Sequence, residues 1–183
     1  MLKADIDKII TDCSEYISLL KECPKGYFLY RGFRGAIVDF WLFTHDFNRK
    51  PLHTPQEIHD RINTIYEAQF GWKIRSGVFC FGSKSLARVP PSLTYGKQYL
   101  LFPVGAFNFV FSPEHFDLFI SLSDKTITED TLPNIAFRNG SLKDAIESGD
   151  HGAGLSHEIC VNVLNYYLID VTHKSTLADI IWQ

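Results

Sequence analysis

Short apolar runs rich in aromatic residues, each closed by glycine, proline or a polar cluster, most constrain what this chain can fold into. Residues 27–33, 77–82, 98–104 and 106–111 each have the length of a strand, and a fifth run, 155–168, is longer. Aromatic residues make up 14% of the chain, including 15 Phe, and such side chains favour a pleated, half-buried surface. Helices are expected beside these strands. Over 4–21 the residues Ile6, Ile9, Ile10, Tyr16, Ile17, Leu19 and Leu20 recur at spacings near three and four, which predicts an amphipathic helix. Thr54-Pro55-Gln56-Glu57 reads as an N-cap, a first-turn proline and an acid, opening a helix to about Phe70. Ser112-Pro113-Glu114 looks like another helix start, residues 116–122 suit strand or helix, and a short helix is expected after Ser85. The fold class is therefore α+β.

The 183 residues, 45% hydrophobic and 21% charged, suit one soluble domain over 1–183 with its core between about 27 and 170. A chain of this size buries roughly 70% of the surface its unfolded form exposes, enough to fold without disulfides or a structural metal. A formal charge of -3 gives no field that would draw nucleic acid or an anionic membrane non-specifically. Cys13, Cys23, Cys80 and Cys160 are isolated from one another, so neither a zinc ribbon nor a redox dithiol is expected, and three of them have apolar neighbourhoods, as in Phe79-Cys80-Phe81 and Ile159-Cys160-Val161, that mark them as small core residues. His45, His53 and His59 lack the spacing that sets two ligands on one helical face, so no metal is expected. The sequence shows no basic-then-apolar leader and no apolar stretch of about 18 residues, from which a cytoplasmic location is expected.

Three polar sites stand out against this apolar background. Arg31 interrupts the run Tyr27-Phe28-Leu29-Tyr30-Arg31-Gly32-Phe33, where a guanidinium needs a paired anion or hydrogen-bond acceptors, so it is read either as half of a buried salt bridge or as a clamp on phosphate or carboxylate. Ser83 and Ser85 close the strand at 77–82, where a hydroxyl can also cap the next helix. Glu158 begins an apolar strand after the loop Ser148-Gly149-Asp150-His151-Gly152-Ala153-Gly154, and is either a salt-bridged edge residue or a functional acid. Strand alternation sets Ser156 on the side of Glu158 and His157 on the other, which disfavours a Ser156–His157 nucleophile pair.

Taken in order, an aromatic-Arg-Gly strand, the strand end Phe81-Gly82-Ser83-Lys84-Ser85 and a glutamate at a later strand start resemble the Arg-Ser-Glu group of the mono-ADP-ribosyltransferases. The resemblance runs from about Tyr27 to Asp170. Lys84 departs from it where the family often has Thr, and Ser156 where it has Gln or Glu. It implies two small packed β-sheets with peripheral helices, and NAD as co-substrate. It further implies that Arg31 grips the NAD phosphates or adjoining ribose, while the backbone of Gly32, bare of a Cβ, bonds the nicotinamide carboxamide. Ser83, with Ser85 beside it, would orient Glu158 or the nicotinamide ribose, and Tyr95 would stack on nicotinamide. Glu158 would oppose the positive charge that builds at the anomeric carbon as nicotinamide leaves. Ser156 would face the acceptor, and having no charge it disfavours arginine in that role.

The expected activity is transfer of ADP-ribose to a macromolecule, a protein in preference to nucleic acid, as in a toxin, a phage-encoded host modifier or a regulatory enzyme. The rivals are a non-catalytic binding module on the same fold, an NAD glycohydrolase, and a glycosidase unrelated to NAD. No membrane partner is expected, and the oligomeric state is open.

Overall fold

The computed structural model describes residues 3–37, 39–51, 54–83, 96–113, 137–147 and 157–183. Ser85, Tyr95, Ser156, the glycine-bearing loop, the segment 116–122 and the helices expected after Ser85 and Ser112 lie outside them. Seven strands are described: β1 (Phe28–Phe33), β2 (Phe40–Thr44), β3 (Val78–Ser83), β4 (Lys97–Pro103), β5 (Asn108–Phe111), β6 (Glu158–Asn162) and β7 (Asn165–Asp170). With them stand helices α1 (Lys3–Asp12), α2 (Ser14–Lys21), α3 (Gln56–Phe70), α4 (Leu142–Glu147) and α5 (Lys174–Ile181). The fold is α+β. Among the described residues no helix is long and apolar enough to cross a membrane.

The strands join in one antiparallel order, β2-β7-β4-β1-β3-β6-β5, where two separate sheets were expected. The joint between the halves is narrow. β1 pairs with β4 from Leu29 to Phe33 but with β3 only through Phe28↔Ser83, Leu29↔Gly82 and Tyr30↔Phe81. The expected strand over 155–168 is two strands, β6 and β7, linked by Val163 and Leu164 alone. Three Cα steps reach at most about 11 Å. In a flat sheet β6 and β7 would lie four strand spacings apart, about 19 Å. The sheet must therefore coil so that its two halves approach, and the β6–β7 link is the corner at which the chain passes between them.

The helix expected over 4–21 is broken at Cys13, because the carbonyl of Asp12 accepts from Gly105 N at 2.9 Å instead of continuing the helical ladder. The thiol of Cys13 points to the Phe102 carbonyl. α3 starts later than the sequence pattern suggests, since Pro55 rather than Thr54 is the residue in the N-cap position, with extended backbone. The main hydrophobic cluster joins α1, α2, α4 and α5 to the sheet, with Tyr16, Phe28, Tyr30 and Phe102 wholly buried, while Ile62 and Tyr66 of α3 cover Cys160 and Val110. α4 fits closely on β3: a Cβ at Gly82 would stand 2.4 Å from Ile146 Cγ1, so only glycine permits this approach. All four cysteines are free and buried, and burial pushes the thiols of Cys13 and Cys23 up to about 12.

Candidate functional site

The strands carrying Arg31, Ser83 and Glu158 are consecutive in the sheet, as β1, β3 and β6. Glu158 is paired with Phe81, and Phe81 with Tyr30, so one row of partners crosses all three strands. Arg31 stands one residue beyond that row, Ser83 two residues to its other side, and Gly32 faces Gln98 of β4.

Beyond Tyr30↔Phe81 the β1–β3 ladder ends and the strands part. Continued, the register would set Gly32 against Phe79. Instead Arg31 Nη1 donates to the Phe79 carbonyl at 2.7 Å, and its guanidinium lies 5.8 Å from the centre of the Tyr166 ring. Among the described residues Arg31 thus meets a backbone oxygen and a ring rather than an internal acid.

A second arginine, absent from the sequence reading, holds Glu158. Arg75 sits in a short 3₁₀ turn, Ile74–Ser76, placed by α3: its backbone N–H donates to Asn63 Oδ1 at 2.9 Å, and Asn63 Nδ2 reaches Ser76 Oγ and His59 Nε2. From there Arg75 Nη1 donates to Glu158 Oε1 at 3.3 Å, with Arg75 8% and Glu158 5% exposed. The pair is buried, and Glu158 is the salt-bridged residue that one reading of a lone strand glutamate anticipates.

The third guanidinium is that of Arg49, whose Nη2 donates to the carbonyls of Arg75 (3.5 Å) and Gly77 (3.3 Å). Arg49 and Arg75 both lie against the ring of Phe79, at 5.1 and 4.5 Å from its centre. Burial, then the charges of Arg31 and Arg75, make Arg49 easier to deprotonate than a free arginine. His45 stands beside the cluster, its Nε2 donating to Ser76 O at 2.6 Å. Burial lowers its proton affinity, as do Arg31 and Arg49, against the opposing hydrogen bond to Ser76. Around the parted end of β1 and β3 the structure therefore gathers three guanidiniums and one carboxylate.

Arg49 and Arg75 escape a sequence reading because each stands in a polar stretch, Asn48-Arg49-Lys50-Pro51 and Lys73-Ile74-Arg75-Ser76, that reads as an ordinary loop. The available signal was in α3, where His59 and Asn63, four residues apart, interrupt the apolar face made by Ile62 and Tyr66. Comparison of the chain with protein-family models, curated sequences and solved structures finds no match.

Proposed function

We propose that the chain is an NAD-dependent mono-ADP-ribosyltransferase built on an ADP-ribosyltransferase-like fold, which cleaves the bond from nicotinamide to ribose and transfers ADP-ribose to a macromolecule other than through arginine. The observation that supports this reading is the adjacency of β1, β3 and β6, which brings strands carrying Arg31, Ser83 and Glu158 side by side although they are far apart in sequence. In the proposed reaction the glycosidic C–N bond breaks, nicotinamide departs with the bonding pair, the acceptor's lone pair forms the new bond at the same carbon, and the acceptor's proton is released to water. Glu158, once released from Arg75, offsets the charge on that carbon. Ser83 orients the ribose, Arg31 takes the phosphates, and Ser156 meets the acceptor. Ser85 and Tyr95 complete the NAD site in this reading.

A second reading, a binding module without catalysis, is favoured by the burial of Glu158 and its pairing with Arg75, since a carboxylate engaged in this way does not reach a ribose without moving. NAD labelled separately in nicotinamide and adenine, incubated with the protein and cell lysate, separates the possibilities. Adenine label entering protein supports the transferase, and free ADP-ribose alone makes the chain a glycohydrolase. Saturable binding of intact NAD identifies a binding module, and neither binding nor cleavage removes NAD from the account.

A further inference from the structure

Like charges do not gather in a partly buried space without cost, and the three guanidiniums around Phe79 are compensated among the described residues by Glu158 alone. Each guanidinium carries five N–H donors. Arg31 and Arg75 each use a single side-chain N–H, and Arg49 serves two backbone carbonyls through Nη2. The Nε atoms of Arg49 and Arg75 are buried and make no hydrogen bond. Backbone carbonyls bring partial charge only, so the cluster keeps an excess of about two positive charges. Fork-shaped donors gathered about one residue, Phe79, suit a planar or tetrahedral oxyanion, and the excess matches a phosphate group or the pyrophosphate of a dinucleotide.

We propose that Arg31, Arg49 and Arg75 form a binding site for a dianionic phosphate or pyrophosphate group, seated where β1 and β3 part beside Phe79. Arg49 and Arg75 supply the unpaired Nε–H donors, and Arg31 the second side of the clamp. Because Arg75 also holds Glu158 through one long bond, an anion that engages Arg75 competes with that carboxylate. Occupancy of the site thereby loosens Glu158 from its buried partner.

The test is calorimetric titration of the full chain with inorganic phosphate, pyrophosphate and NAD at constant ionic strength. One-to-one saturable binding of phosphate or pyrophosphate is expected, weakened about tenfold or more by Arg49→Gln and by Arg31→Gln and unchanged by Arg138→Gln, an exposed arginine elsewhere. The ranking of the three ligands distinguishes a single phosphate from the pyrophosphate of a dinucleotide. Should a variant fold poorly, arginine modification by phenylglyoxal in the unmutated protein gives the same answer, with pyrophosphate expected to protect Arg31 and Arg49. Absence of saturable binding to both phosphates, equal affinity in the cluster variants, or lack of protection overturns the site. Pyrophosphate binding without NAD cleavage would leave the anion site standing and remove the transferase, and NAD cleavage without pyrophosphate binding would do the reverse.

Discussion

Replacing Glu158 with Gln removes the one carboxylate that the described structure sets against three guanidiniums, and the consequence for stability can be worked out. The partners are almost wholly excluded from solvent and 3.3 Å apart. Unit charges about 4 Å apart interact by about 4 kcal/mol at an effective dielectric constant near 20, and removing one member of a buried pair typically costs about 3–5 kcal/mol. Gln keeps the shape and one acceptor oxygen, so about 3 kcal/mol is expected for Glu158→Gln. In a chain of this length that corresponds to a fall in Tm of roughly 6–12 °C. Removing both charges in Glu158→Gln/Arg75→Met should recover most of the loss, since no buried charge of the pair remains. Urea denaturation at pH 7 measures all three proteins, and NAD cleavage is assayed on the same samples well below their midpoints. A loss under about 1 kcal/mol for the single variant, or a double variant worse than the single, would refute the buried-pair account. If instead the stability loss appears while NAD is cleaved at the unmutated rate, Glu158 is structural and the catalytic proposal fails.

Arg31→Lys should raise the Kd for NAD about tenfold, because an ammonium lacks the planar fork, and unchanged affinity with a lowered Tm would make Arg31 purely structural. Burial pushes the Asp170 carboxyl up, but hydrogen bonds from Lys97 and Thr172 outweigh this and hold it at about 2. Because the folded value lies below the ordinary 3.8, the resulting stability is present above pH 4 and lost as pH falls towards 2. Lys97 is largely exposed, so Asp170→Asn should cost only about 1 kcal/mol at pH 7 and flatten the acid dependence in that window, as read from Tm between pH 2 and 5. Gly82→Ala should destabilise by about 1–3 kcal/mol through the clash with Ile146, and a denaturation midpoint equal to that of the unmutated protein would contradict the close α4–β3 contact.

The strands over 27–33, 77–82, 98–104 and 106–111 were legible because glycine, proline or polar clusters bound each run, and β1, β3, β4 and β5 begin and end within two residues of those limits. β2 was not, since Phe40-Trp41-Leu42-Phe43-Thr44 neither alternates nor carries a turn signal, and its partner β7 is remote in sequence. The division of β6 from β7 was hidden for a related reason: Val163-Leu164 contains neither glycine nor proline, so only three-dimensional closure reveals the bend. α4 did carry a local signal, as Ser141 Oγ accepts from Asp144 N at 3.0 Å in the manner of a capping box, but it lay in a polar stretch. Of the candidate site, Arg31 and Glu158 were visible as polar residues in apolar strands. Arg49 and Arg75 were not, because their burial comes from tertiary packing around Phe79 and leaves no trace in local pattern.

The place of β7 between β2 and β4 governs the order in which the molecule can be completed. Among the described residues β2 has β7 as its only strand partner, and the outer edge of β4 has no other. During synthesis both edges therefore stay open until residues 165–170 have been made, leaving Trp41, Leu42 and the apolar run of β4 without their pairing strand. Closure of such distant partners carries a large loop entropy before any contact rewards it, which makes folding slow and the nascent chain prone to association. Truncation before Asn165 would therefore yield a chain that aggregates rather than a smaller folded unit, however intact the strands around Arg31 remain.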